Sequence, residues 1–127
     1  MVRVIMNGCN GKMGQVITGI IAEDAQAEIV AGIDVYDGIK NPYPVFSNIA
    51  DCNVDADVII DFSNAKAIDG LLDYVEAKKM PVVLCTTGLS EEQLQRVEKV
   101  SKEVAVLKSA NMSLGINTIM KLLQQAV

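Results

Sequence analysis

Val2-Arg3-Val4-Ile5-Met6-Asn7-Gly8-Cys9-Asn10-Gly11-Lys12-Met13-Gly14 opens the chain and decides its fold. Val2 to Met6 is an apolar, strand-like run, and glycine then returns at every third position. Apolar residues next fall at Met13, Val16, Ile17, Ile20 and Ile21, the stripe of a helix packed on one face. This helix is expected to run to about Glu23. The glycines therefore sit where a buried strand turns sharply into a helix. Such a helix start leaves backbone N–H groups without intrahelical partners and carries a partial positive charge, a seat for phosphate or pyrophosphate. A Cβ at these positions would obstruct both the turn and the approach of a ligand.

The spacing is G-x-x-G-x-x-G rather than the commoner G-x-G-x-x-G, so its context matters. A second apolar run, Ile29-Val30-Ala31-Gly32-Ile33, ends in Asp34, 20 residues beyond Gly14. A dinucleotide fold places there the carboxylate that accepts hydrogen bonds from the adenosine ribose. The alternative is a structural βαβ turn with a solvated aspartate at a strand end.

Working outward, strand-like runs alternate with helical stripes. After residues 2–6 and 29–33, strands are expected at 58–60, 81–85 and 104–107, with a Gly/Pro-containing loop at 36–45. Ser63 or Asn64 is expected to cap a helix striped by Ile68, Leu71, Leu72 and Val75. Ser90-Glu91-Glu92-Gln93 reads as a capping box before Leu94, Val97 and Val100. A last helix is expected on Ile116, Ile119, Met120 and Leu123. Continuous β-branched runs imply strands covered on both faces, hence a parallel sheet. Five βα units predict a single α/β domain over residues 1–127, a doubly wound Rossmann-type parallel sheet. Ligands bind such sheets at the C-terminal strand edge, which here gathers residues 8–14, 34–38, 62–64 with 85–88, and 109–113.

Composition narrows the function. Half the residues are apolar, yet no apolar run reaches the roughly 20 residues that span a bilayer. The net charge of −5 argues against a nucleic-acid binder. Cys9, Cys52 and Cys85 form no C-x-x-C and are odd in number, so neither a zinc site nor a disulfide framework is expected. No export signal precedes the strand at Val2, and a reducing, cytoplasmic setting is expected. Histidine is absent, which excludes a Ser-His-Asp triad, a Cys-His dyad and any His-ligated metal in this sequence. The chain closes at Val127 still in helical phase, with no Gly, Asn or Pro stop, as a piece cut at a domain boundary would.

Each candidate residue has a plain reading beside the functional one. Val35 and Tyr36, next to Asp34, include no base to pair with a 2′-phosphate, so NADH is at least tolerated. Lys12 is the nearby cation within the glycine loop, or a surface lysine at a helix start. Cys9 lies near a helix N-terminus, where a thiol pKa can fall, or is a small filler in a tight turn. Cys85 closes a buried strand. Thr86 and Thr87 suit a nicotinamide carboxamide or a helix cap, and Asn111 and Ser113 suit caps of the last helix. No acid is visibly paired with a base, so no catalytic residue is assigned.

Taken together, Gly8-Cys9-Asn10-Gly11-Lys12-Met13-Gly14, Asp57-Val58-Ile59-Ile60-Asp61-Phe62-Ser63, Thr86-Thr87-Gly88 and Asn111-Met112-Ser113-Leu114-Gly115-Ile116-Asn117 resemble the 4-hydroxy-tetrahydrodipicolinate (dihydrodipicolinate) reductases. The resemblance implies reduction of a cyclic imine-type intermediate of lysine and diaminopimelate biosynthesis by NADH or NADPH, in a homo-oligomer. It implies that Gly8, Cys9, Asn10, Gly11, Lys12 and Met13 cradle the pyrophosphate and that Asp34 holds the ribose. Phe62 joins the cofactor edge, Cys85, Thr86 and Thr87 line the nicotinamide, and Ser109, Ala110, Asn111 and Met112 form its other wall. Cys85 stands where the family usually has glycine, and Met112 where it commonly has an aromatic, for which a polarizable thioether can substitute. The family's second domain carries a His-His motif, a catalytic lysine and a Lys-x-Asp-Ala-Pro-Ser-Gly-Thr loop, none of them in this sequence. The chain is therefore expected to be the cofactor-binding domain of a two-domain reductase, meeting small-molecule substrate only with the missing domain. A non-catalytic nucleotide- or coenzyme A-binding regulatory module is the alternative. Another two-domain dehydrogenase is disfavoured by the Thr-Thr-Gly and Asn-Met-Ser loops.

Overall fold

The structure is a computed structural model, and it describes residues 2–23, 27–35, 38, 40–62, 65–85 and 88–108. Strand β1 (Val2–Asn7) passes through the glycine turn into helix α1 (Lys12–Ala22). There follow β2 (Ala27–Ile33), β3 (Val45–Phe46), β4 (Val58–Asp61), α2 (Ile68–Lys78), β5 (Val82–Leu84), α3 (Glu91–Ser101) and β6 (Val106–Lys108). Short 3-10 turns occupy Ile49–Asp51 and Ala65–Ala67.

The six strands form one parallel sheet in the order β3-β2-β1-β4-β5-β6. This is the doubly wound order, whose direction reverses between β1 and β4 and opens a crevice there. Side chains alternate across it. Val4, Met6, Val58, Ile60 and Val83 pack with Ile17 and Ile21 of α1 on one face. Ile5, Ala31, Ile33, Ile59, Val82 and Leu84 pack with Ile68, Leu71, Leu72 and Val75 of α2 and Val97 and Val100 of α3 on the other. Burial on both faces accounts for strands that read as unbroken apolar runs. Among the described residues no helix is long and apolar enough to cross a membrane.

The α2 stripe is fully buried, as its spacing predicts. The stripes of α1 and α3 are narrower than expected, for Val16 stays 44% exposed and Leu94 37%. The expected capping box is present: Ser90 Oγ accepts from the Gln93 amide at 3.2 Å, and Gln93 Oε1 from the Ser90 amide at 2.9 Å. Five strands were expected and six form among the described residues. The additional β3 has two residues between Pro44 and a polar stretch, too short for any periodicity. It is held by long-range bonds from Gly32 N–H to the Pro44 carbonyl (2.9 Å) and Asp34 N–H to the Phe46 carbonyl (3.0 Å). β6 begins at Val106 rather than Val104, because the amides of Glu103 and Val104 both bond the Val100 carbonyl at 2.9 Å and finish α3. The N-cap of α2 is Ala67, without a side-chain cap. Ser63, Asn64 and the expected last helix lie outside the described residues.

Candidate functional site

Strand register assembles the site. Phe46, Ile33, Asn7, Asp61, Leu84 and Lys108 stand in a row across the C-terminal ends of the six strands. The residues that next leave the sheet, Gly8, Asp34, Phe62 and Cys85, are thereby brought to one edge. Backbone bonds clamp them: the Gly8 and Cys9 amides donate to the Ile33 carbonyl (2.7 and 3.3 Å), Phe62 to Asn7 (3.0 Å) and Cys85 to Asp61 (3.0 Å).

The three glycines do three different jobs. Gly8 has φ +84, a conformation costly for any residue with a Cβ, and its carbonyl accepts from the Gly11 amide at 3.2 Å to close the turn. Gly14 permits contact between α1 and the loop, since a Cβ there would lie 2.1 Å from the Gly8 carbonyl oxygen. It serves packing, not ligand approach. Gly11 is the N-cap of α1, with no side-chain cap and no acidic residue in the first turn. A Cβ on Gly11 would meet only the Gly8 oxygen at 3.5 Å and otherwise project into open space. The start of α1 thus presents amides and a positive dipole end to that space, and no carboxylate in the first turn competes for it. The arrangement can hold an anion.

Asp34 is tied into the same loop: its Oδ2 accepts from the Asn10 amide at 3.0 Å. Asn10 is buried, with its Oδ1 accepting from Asn41 Nδ2 at 2.7 Å and its carbonyl from Gln15 Nε2 at 3.0 Å. The β2–β3 connection is pinned to α1 through Tyr43 Oη and Thr18 Oγ1, 3.0 Å apart. Asn41 had gone unmarked in the sequence, its one signal being an Asn-Pro turn dipeptide. Lys12 is exposed and Met13 half-buried at the first turn of α1. Cys9 is fully buried beneath the loop, and burial, then the nearby Asp34 charge, pushes its thiol pKa up. The filler reading therefore holds and the lowered pKa does not, and the Cys9 amide is itself spent on the Ile33 carbonyl at 3.3 Å.

At the reversal point Asn7 Nδ2 donates to Asp61 Oδ1 at 2.9 Å, both residues buried, joining the ends of β1 and β4. A buried carboxylate is tolerated there only because it is hydrogen-bonded. Neither residue was marked as functional from sequence, where nothing signals a contact across 54 positions. Burial, and after it the Asp61 charge, raises the Cys85 thiol pKa to about 11, so it stays protonated near neutral pH. Phe62 is half-buried against the α1 face of the core. Thr86, Thr87, Ser109, Ala110, Asn111 and Met112 lie outside the described residues.

Comparison with known proteins accords with this geometry. The family model "Dihydrodipicolinate reductase, N-terminus" matches residues 2–112. The 4-hydroxy-tetrahydrodipicolinate reductase of Clostridium novyi is 48% identical over 124 residues, covering 98% of this chain and 49% of that protein. That of Caldanaerobacter subterraneus subsp. tengcongensis is 46% identical over 130 residues, covering 99% and 50%. The chain thus spans about half the length of the curated relatives it matches. Among solved structures, the dipicolinate-bound dihydrodipicolinate reductase of Paenisporosarcina sp. TG-14 superposes with a TM-score of 0.75 at 24% identity, over 96% of this chain and 52% of that one. The WlbA dehydrogenase of Bordetella pertussis, in complex with NADH and UDP-GlcNAcA, gives 0.67 at 20% identity, over 85% and 36%. These two show a shared fold. With the family model matched from the first strand to beyond the last, the chain belongs to the dihydrodipicolinate reductase family and corresponds to its N-terminal region.

Proposed function

We propose that this chain is the NADH- or NADPH-binding part of a 4-hydroxy-tetrahydrodipicolinate reductase. One observation carries the reading: the Asn10 amide donates to Asp34, so the anion seat at α1 and the carboxylate at the end of β2 form one unit. The Lys12 and Met13 amides at the start of α1, beside the Cβ-free Gly11, bind the pyrophosphate, and Asp34 orients the adenosine ribose. Cys85, Thr86, Thr87 and Ser109 to Met112 line the nicotinamide end. When bound, the reduced nicotinamide supplies a hydride. Cys85, protonated at neutral pH, contributes bulk rather than acid–base chemistry there.

Hydride transfer also needs the imine carbon held near the nicotinamide and a donor for its nitrogen. This sequence has no histidine and no Lys-x-Asp-Ala-Pro-Ser-Gly-Thr loop, so substrate capture and protonation fall to residues outside it. The 127-residue chain alone binds coenzyme with little or no turnover. Its acidic balance, at net charge −5, disfavours nucleic acid as a partner. The full-length protein works in the cytoplasm as a homo-oligomer. Calorimetric titration with NADH, alongside nicotinamide fluorescence, tests the reading. Saturable heat with a fluorescence change is expected, and neither signal at millimolar coenzyme overturns it.

A further inference from the structure

At the ends of β1 and β2, lined by Ile33 and Val35 on either side of Asp34 in the chain, lies a cleft of about 400 Å³, within the range of small-ligand sites. Ile33, Val35, Ser47, Asn48, Lys66 and Gly70 are among the residues that line it. Val35 directly follows Asp34 and is 86% exposed, an apolar surface at the rim. Among the described residues lining the cleft, Lys66 is the one cation and no carboxylate is present. Its position is built rather than incidental. Lys66 is the middle residue of the Ala65–Ala67 turn, and the Ala65 carbonyl accepts from Gln93 Nε2 at 2.8 Å. Gln93 is itself fixed by the α3 capping box. Two packed helices therefore set the backbone that carries this ammonium.

The inference rests on the coenzyme reading above. A carboxylate at the end of β2 accepts the ribose 2′-hydroxyl but repels a 2′-phosphate, and a cation close by is what accommodates that phosphate. Val35 is apolar. Lys12, the cation marked in the sequence, stands at the first turn of α1 with the pyrophosphate seat. We propose that Lys66, which lines the same cleft as Val35, receives the 2′-phosphate of NADPH and lets the chain hold both coenzymes despite Asp34.

The test titrates the 127-residue wild type, Lys66→Ala and Lys66→Arg with NADPH, NADH, 2′,5′-ADP and 5′-AMP. Fluorescence follows the dinucleotides and calorimetry the fragments. Loss of one charge-assisted contact predicts NADPH and 2′,5′-ADP weakened roughly tenfold in Lys66→Ala. NADH and 5′-AMP should change less than about twofold, Lys66→Arg should restore phosphate binding, and added salt should erode only the NADPH advantage. Wild type that binds NADH, with NADPH unaltered or both coenzymes equally weakened in Lys66→Ala, overturns the assignment alone. Wild type that binds neither coenzyme removes the parent reading and this inference with it.

Discussion

Replacing Gly14 by alanine tests the packing that holds the coenzyme seat together. Inside an exposed helix Gly→Ala should stabilise by up to about 1 kcal/mol. At Gly14 the new Cβ would stand 2.1 Å from the Gly8 oxygen and 2.8 Å from Cys9 Cα and carbonyl carbon. All three are backbone atoms, so no rotamer change relieves the clash. Reaching even 3.0 Å from the Gly8 oxygen requires α1 and the loop to part by about 0.9 Å. Overpacking of this kind costs about 1–3 kcal/mol, and a backbone clash belongs at the upper end. Net of helix propensity, Gly14→Ala should lose about 2 kcal/mol, or roughly 6–10 °C in melting temperature for a domain of this size. NADH affinity should fall at least about tenfold, because the amides of the α1 start move with the helix. Gly19, on the same helix, has nothing within 4 Å of its Cβ position, so Gly19→Ala should gain about 0.5–1 kcal/mol. Urea unfolding of both variants with NADH titration is the assay. A Gly14→Ala protein as stable as wild type, with unchanged affinity, refutes the reasoning.

Asp34→Asn retains an oxygen for the Asn10 amide but loses the charge, so NADH binding should weaken about tenfold with unfolding changed by less than about 1 kcal/mol. Undiminished binding, measured by nicotinamide fluorescence, would favour a nucleotide module with no use for this carboxylate. Burial raises the Cys9 and Cys85 thiols, the latter to about 11. The folded state thus keeps protons that the unfolded chain releases near pH 9, and this stability is intact below that pH and lost as pH climbs through about 11. Urea midpoints at pH 7, 9 and 10.5 should fall in that order, and native cysteines should react with a thiol reagent at pH 8 far more slowly than in urea; equal rates contradict the burial. Arg96 bridges α3 to Asp69, Asp73 and Glu76 of α2. Arg96→Ala should cost about 0.5–1.5 kcal/mol at low salt and much less in 1 M NaCl, whereas a salt-independent loss would point to packing of its aliphatic stem.

Much of this protein is written locally. The strand run at Val2, the glycine turn, the α2 stripe and the Ser90–Gln93 box are each specified by residues within a few positions of one another, where backbone sterics and helical period act without the rest of the chain. The parallel sheet follows from them, because unbroken apolar strands must be covered on both faces. Asp34 was legible because a βαβ unit has a nearly constant length. Other features depended on what register brings together. The β3 edge strand exists through bonds to Gly32 and Asp34. The Asn7–Asp61 pair, the burial of Cys9 and the cleft shared by Val35 and Lys66 likewise join segments far apart in the chain. Burial and long-range hydrogen bonding are properties of the assembled sheet, so no stretch of sequence could announce them by itself.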